Sequence, residues 1–283
     1  MHSLQSWLGK EPLAGFVAQY FHKLPYSRQA DRSLCQLCQW DTIGRILEQP
    51  SADVMVCRRN ERYDGPAPQS MEAAQTLAEQ GYTILVRHAE RWDAGLAELA
   101  AGFSREFAGE VNVHLYATPP AEFGFGWHYD VEDVFILQTQ GEKEYSLRKN
   151  TVNPWPVLDA IPQDMKYERE IMPLMRCLLK SGDWLYIPAG YWHMGQAAES
   201  AISIAVGVLS PTALDTYDLL RRELLASLLW RQRLPAAREA TGVSDEQLRE
   251  SLAELLEQLG SDLHKLITSK RFMDQLVEQL RGK

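Results

Sequence analysis

The chain has 283 residues, with 29 Lys and Arg against 38 Asp and Glu, for a formal charge of −9. That acidity argues against general nucleic-acid binding, which needs a basic face for phosphate. Four cysteines are too few for a disulfide scaffold of this length, the start shows neither the basic residues nor the apolar run of a secretory leader, and no stretch matches a membrane span, so a cytoplasmic globular protein is expected.

Phe16, Val17, Tyr20 and Phe21 recur at helical spacing, and Pro25 ends that helix. Cys35 and Cys38 form a lone C-x-x-C among Leu34, Leu37 and Trp40. With no second pair at zinc-site spacing, buried thiols are expected there. Asp41 reads as the cap of a short helix carrying Ile43, Ile46 and Leu47. Ser70 precedes a helix ending at Gly81, a buried strand follows at 82–86, and Leu96, Leu99, Ala100, Phe103 and Phe107 share one face of a helix over 93–107.

From Val111 the pattern changes to short strands broken by Gly and Pro. Strands are expected at 111–116, 134–138 and 143–147, the last two as a hairpin around Gly141. A polar insert with prolines covers 148–177, and two more strands fall at 184–187 and 201–209. Several short strands at this spacing favour a β-barrel or jelly roll. Pro211 fits the first turn of a helix with a stripe of Leu214, Tyr217, Leu220, Leu224, Leu225 and Leu228. Ser244 and Gln247 resemble a capping box, and a last helix is expected from about Asp262 to Leu280. These leucines offer apolar surface for packing or for a homodimer. Three parts result: a mixed α/β segment over 1–109, a barrel core over 110–210 and a helical region over 211–283.

Two strings carry chemistry: Gly126-Trp127-His128-Tyr129-Asp130, and a turn-flanked apolar run from Gly182 to His193. Residues i and i+2 of a strand share a face, so His128 and Asp130 can grip one ion together. A lone His-x-Asp is common by chance. The third ligand gives it weight, because His193 ends a Gly-Asp-apolar-Pro-x-Gly segment that can bring it back across the sheet. Two imidazoles and one carboxylate form the facial triad that suits non-haem Fe(II) and leaves coordination positions open. Among the nearby aromatics, Tyr129, Trp184, Tyr191 and Trp192 are expected in the core and Trp127 at a rim. Glu122, Glu132 and Asp133 could present acid to a basic substrate, with solvated surface the expected reading, while His22 and His88 lack partners at ligand spacing and His264 lies at a polar helix position.

The run Thr118-Pro119-Pro120, Gly124-Phe125, His128-Tyr129-Asp130, Phe135-Ile136-Leu137-Gln138 and Gly141 resembles the JmjC-type cupins, most of all their ribosomal-oxygenase branch. The segment Leu185-Tyr186-Ile187-Pro188 through Trp192-His193 and the opening Phe16 to Pro25 are similar to the same branch. The resemblance implies an α+β fold: a double-stranded β-helix of JmjC type, with mixed helical elements before it and a helical region after it. It also implies Fe(II) held by His128, Asp130 and His193. The implied cosubstrate is 2-oxoglutarate, anchored by Lys143 with Tyr116, and Thr118 and Ser203 are weaker donor candidates. His114 stands where the branch often has Asn, and strand parity aims it into the barrel. The branch tends to end in a winged-helix module, for which no strand pair is read after Leu209.

The implied activity is hydroxylation of a C–H bond on an amino-acid side chain of a protein or peptide. A small-molecule or N-methyl substrate stays open. Two rivals exist: a metal-binding cupin that senses or scaffolds and needs no cation at Lys143, and a cupin enzyme without 2-oxoglutarate, which would want an additional His or Glu ligand near His128, a place for which Glu132 is read as having the wrong strand parity.

Overall fold

The computed structural model describes residues 3–162, 167–235 and 242–282, arranged as two compact units, Met1–Ser210 and Pro211–Lys283. In the first unit the strands are β1 (Tyr26–Gln29), β2 (Asp53–Arg58), β3 (Glu61–Arg62), β4 (Thr83–Arg87), β5 (Glu110–Thr118), β6 (Asp133–Gln140), β7 (Lys143–Arg148), β8 (Met175–Leu179), β9 (Asp183–Ile187), β10 (Trp192–Ala197) and β11 (Ala201–Leu209). An eight-stranded sheet has the order β1-β9-β6-β11-β5-β4-β2-β3, and a three-stranded sheet the order β10-β7-β8. Every pairing is antiparallel.

Strand parity sorts the large sheet into two faces. Ile84 and Val86, Val113 and Leu115, Phe135 and Leu137, Trp184 and Tyr186, and Ile202, Ile204 and Val206 all point to one side. There they meet α1 (Leu4–Leu8), α2 (Leu13–Gln19), α3 (Trp40–Leu47), α4 (Met71–Glu79) and α5 (Ala94–Glu106) in the main core. Rings lock that layer: Trp7 packs edge-on to Phe103 at 5.3 Å, and Phe16 to Tyr186 at 5.1 Å. The opposite face closes against the small sheet. Val134, Ile136, Leu185 and Ile187 pack there on Tyr145, Leu147 and Leu179. This is the expected double-stranded β-helix, with helices on its outer face.

The hairpin around Gly141 does not form. β6 pairs with β9 and β11, whereas β7 pairs with β8 and β10, so the chain changes sheets between them. Gly141 makes the crossing at φ +69°, where a Cβ would collide with the carbonyl of Ser200. Asp41 sits in the first turn of α3; Gln39 is the cap and its partner is Thr42. Ser70 does cap α4, through Ala73 N–H at 3.2 Å. β8 begins inside the stretch read as a polar insert, of which residues 163–166 lie outside the described residues.

In the second unit a short turn at Ala213–Asp215 leads into α6 (Thr216–Ala226), followed by α7 (Asp245–Ile267) and α8 (Lys270–Leu280). Pro211 precedes the capping residue Thr212 instead of entering the helix. The Ser244–Gln247 capping box is present. α7 runs straight through Asp262, and the break falls at Thr268, with Ser269 capping α8 through Phe272 N–H. Leu219 and Phe272 are buried, and Arg271 pairs with Glu223 at 2.9 Å. Leu214, Tyr217, Leu225 and Leu228 are more than half exposed. The described residues of this unit hold helices and turns without strands, and no described helix is long and apolar enough to cross a membrane.

Candidate metal centre and cavity

His128 and Asp130 lie just before β6, on an extended segment pinned to the opposite sheet. His128 and His193 exchange both backbone hydrogen bonds, at 3.1 and 2.8 Å, and Gly190 N–H donates to the Asp130 carbonyl at 2.8 Å. The sequence placed the pair at a strand start, and this single bridge stands in for that strand. Gly126 N–H donates to Asn60 Oδ1 at 2.5 Å, which fixes the turn leading in.

The three side chains converge. One ligand atom from each lies within 4.8 Å of the others, and His193 Nε2 is 3.4 Å from Asp130 Oδ2. His128 Nδ1 faces the Gly126 carbonyl at 2.7 Å, and His193 Nδ1 faces the Tyr191 carbonyl at 3.0 Å. A carbonyl can only accept, so each Nδ1 carries the proton and each Nε2 turns a lone pair to the centre. Burial, with His193 beside it, holds the His128 imidazole down at about 4. Burial alone would raise Asp130, but the hydrogen bond and charge of His193 outweigh it and bring the carboxyl to about 2. His193 moves the other way: burial lowers it, and Asp130 more than restores it, to above its ordinary value. One carboxylate and two imidazole Nε2 atoms thus converge on one point, a donor set that fits a divalent transition metal once His193 gives up its second proton.

The triad opens on a cavity of about 310 Å³ between the two sheets. Residues of even number on β5 line it, namely Asn112, His114 and Tyr116, together with Ser203, Ala205 and Gly207 of β11. Lys143 and Tyr145 enter from β7. Lys143 is 6% exposed, donates to Thr118 Oγ1 at 3.3 Å, and lies 5.4 and 5.5 Å from the ring centroids of Tyr116 and Tyr145. Among the described residues no carboxylate pairs with it, and burial holds the ammonium down at about 8. Burial pushes the phenols of Tyr116 and Tyr145 far up, so both stay neutral donors. Thr118 is not on the wall itself; it holds Lys143 from behind. Tyr145 escaped the sequence reading, although its spacing two residues past Lys143 was the available signal.

His114 faces the cavity as its parity required. Its Nδ1 accepts from His88 N–H at 3.2 Å, and burial, with His88 nearby, lowers its pKa. Glu132 also lines the cavity, and burial raises its pKa against the pull of a hydrogen bond from Asn112. The acids read as solvated are therefore placed differently. Asp133 is 1% exposed, accepts from Tyr186 Oη at 2.5 Å and pairs with His22 at 2.9 Å; Glu122 pairs with Arg59 at 2.8 Å. Tyr129, Trp184, Tyr191 and Trp192 are core, while Trp127 stacks on Tyr167 at 4.1 Å. Cys35 and Cys38 are buried free thiols.

Residues 93–216 match the JmjC domain family. The matched stretch contains His128, Asp130, Lys143 and His193. It is 25% identical over 221 residues to the bifunctional lysine-specific demethylase and histidyl-hydroxylase NO66 of Drosophila yakuba, covering 73% of this chain and 32% of that protein. It is 30% identical over 126 residues to ribosomal oxygenase 1 of Gallus gallus, covering 43% of this chain and 20% of the relative. The chain thus spans a third or less of these relatives. The structure of the ribosomal oxygenase YcfD from Escherichia coli, in complex with cobalt and 2-oxoglutarate, aligns with a TM-score of 0.60 at 20% identity. That alignment covers 97% of this chain and 72% of YcfD, and it shows that the two share a fold.

Proposed function

We propose that this chain is a JmjC-type, Fe(II)- and 2-oxoglutarate-dependent oxygenase that hydroxylates a C–H bond on an amino-acid side chain of a protein or peptide. One observation carries the reading: the two-histidine, one-carboxylate triad shares its cavity with a buried ammonium that has no carboxylate partner among the described residues. Leaving a cation so placed costs several kcal/mol, on the order of a buried ion's desolvation penalty. A cavity meant for a metal alone has no use for it, and a cosubstrate whose far end is a carboxylate does.

Bound iron, 2-oxoglutarate and dioxygen would supply the oxidising chemistry, in which the cosubstrate becomes succinate and carbon dioxide and one oxygen atom enters the substrate C–H bond. The residues have separate tasks. His128, Asp130 and His193 would hold the ion, and the backbone-held Nδ1 protons of the two histidines keep their Nε2 atoms free to bind. Lys143 neutralises the distal carboxylate, with the phenols of Tyr116 and Tyr145 beside it and Ser203 a further donor on the wall. Thr118 steers the Lys143 ammonium. The apolar layer of Val134, Ile136 and Leu185 keeps water away behind them, which strengthens every charged contact inside.

A protein or peptide substrate is supported by the relatives' names, ribosomal oxygenase and histidyl-hydroxylase. A demethylating outcome, named in the same relative, would begin with the same hydroxylation on an N-methyl carbon. Four free cysteines suit a reducing cytoplasm. The exposed Leu225 of α6, with Leu214 and Leu228 on either side of that helix, suits a homodimer through the C-terminal helices.

The test is anaerobic. Protein loaded with Fe(II) and 2-oxoglutarate should show the visible charge-transfer band of the chelated cosubstrate, and Asp130→Ala and Lys143→Ala should abolish it. Iron binding without a band in the wild type would favour the metal-binding cupin that does not turn over.

A further inference from the structure

The chain reaches His128 through a loop, residues 122–126, that lies between β5 and β6 and is met by the tip of the β2–β3 hairpin. Cys57 pairs with Arg62 and Arg58 with Glu61, so Arg59 and Asn60 form a two-residue turn. Such a turn needs positive φ at both positions, which asparagine tolerates and arginine resists. Here φ is +51° at Arg59 and +71° at Asn60. The tip does more than close the hairpin. Arg59 N–H donates to the Phe123 carbonyl at 2.8 Å, and Asn60 N–H to the Gly124 carbonyl at 2.9 Å. The Arg59 guanidinium forks onto Glu122 at 2.8 and 3.2 Å.

A further contact leads on to the metal ligand. Asn60 Oδ1 accepts from Gly126 N–H at 2.5 Å, and the Gly126 carbonyl accepts from His128 Nδ1 at 2.7 Å. Gly126 thus connects a hairpin side chain to the ring whose Nε2 turns to the centre. A Cβ on Gly126 would lie 2.7 Å from Asn60 Nδ2, and its three nearest atoms all belong to the Asn60 amide. The φ of Gly126 is not positive, so it is space, not conformation, that excludes a side chain there. His193 has its own carbonyl, that of Tyr191 at 3.0 Å, on a different segment.

We infer that Asn60 is a positioning residue for the metal centre: by anchoring Gly126 it sets the direction of the His128 ring and keeps its Nε2 aimed at the ion. The inference rests on the metal part of the oxygenase reading and on nothing further in it. Gly126 has no side chain to restrain its backbone, so without the anchor its carbonyl swings and the ring follows. Supporting partners of a metal-bound histidine typically count for about 10–100-fold in affinity, and Asn60, one residue further out, takes the lower end, about tenfold.

The experiment uses the full chain with Co(II). Asn60→Gly removes the amide yet suits φ +71°, so the hairpin keeps its turn. It should weaken Co(II) binding by about tenfold, the scale of a supporting partner, and leave the melting temperature of the metal-free protein unchanged. Asn60→Asp keeps both the acceptor and the tolerance for positive φ, and should restore the wild-type affinity. In the Co(II) protein the ring N–H protons of the two ligand histidines give separate, hyperfine-shifted, exchangeable proton resonances. Asn60→Gly should shift one of them, that of His128, and speed its exchange with solvent, while the other stays where it is. Gly126→Ala should weaken Co(II) by a similar factor in the wild type, and cause no further loss beside Asn60→Gly, where the added carbon finds room. Undiminished affinity in Asn60→Gly, no rescue by Asn60→Asp, or both ring resonances moving together would overturn this inference alone. Failure of the wild type to bind Co(II) would overturn the metal centre and this inference with it.

Discussion

Replacing Lys143 with methionine separates what the protein needs to fold from what it needs to bind. The ammonium is 6% exposed, has no carboxylate partner among the described residues, and titrates at about 8 instead of 10.5. In the unfolded chain the same group is solvated and keeps its ordinary value. The folded state without cosubstrate therefore carries a penalty at neutral pH of about 3 kcal/mol, from 1.36 kcal/mol for each factor of ten in the proton equilibrium. The sign follows from proton counts. Between pH 8 and 10.5 the unfolded chain holds the Lys143 proton and the folded chain does not, so stability rises with pH across that window and the penalty is full below it. Methionine has similar length, carries no charge and packs well against the rings of Tyr116 and Tyr145. Lys143→Met should stabilise the unit of residues 1–210 at pH 7 by up to about 3 kcal/mol, a rise in melting temperature of about 5–10 °C. It should also weaken 2-oxoglutarate binding by a hundredfold or more, about 3 kcal/mol for a buried charge left unpaired. Calorimetric melting from pH 7 to 10.5 and titration with 2-oxoglutarate under nitrogen measure both. A variant less stable than wild type at pH 7, or one that keeps the wild-type gain above pH 8, would refute the assignment of Lys143 as an unpaired cation.

Asp130→Ala and His128→Ala should each lower Co(II) affinity by more than about 100-fold while leaving the far-ultraviolet circular dichroism unchanged, since a direct ligand counts for at least as much as its supporting partners. Metal affinity should fall as pH drops from 8 towards 6, because Asp130 favours the His193 imidazolium and a proton then competes with the ion, whereas His128, at about 4, does not compete. Titrations in buffers of different ionisation heat should find protons released near pH 6.5, and a pH-independent affinity would contradict the His193–Asp130 pairing. Gly141→Ala should destabilise the first unit by about 2 kcal/mol or more in urea, because φ is +69° and the added carbon meets the Ser200 carbonyl. An unchanged midpoint would mean that the sheet crossing tolerates a side chain.

The triad was legible because each of its parts is local. His128 and Asp130 share a face at i and i+2, and His193 closes a turn-flanked apolar run whose residues, Trp184 to Ile187, are buried as an inner strand must be. Alternation also announced which residues of β5 and β11 face the cavity. It did not announce partners. Val134–Gln138, Gly141 and Lys143–Leu147 have the pattern of a hairpin, and they become strands of two different sheets because β6 finds β9 and β11 while β7 finds β8 and β10. Lys143 faces the cavity in either arrangement, so its proposed role survived the wrong pairing. Glu132 and Asp133 show the other limit. They are adjacent acids in a loop between a metal ligand and a strand, and sequence offers no reason to treat them differently. The fold gives Asp133 to Tyr186 and His22 on the core side, and turns Glu132 to Asn112 over the bare backbone of Gly207. Their difference is made by residues 20 to 111 positions away, which is why face could be read from the chain and partnership could not.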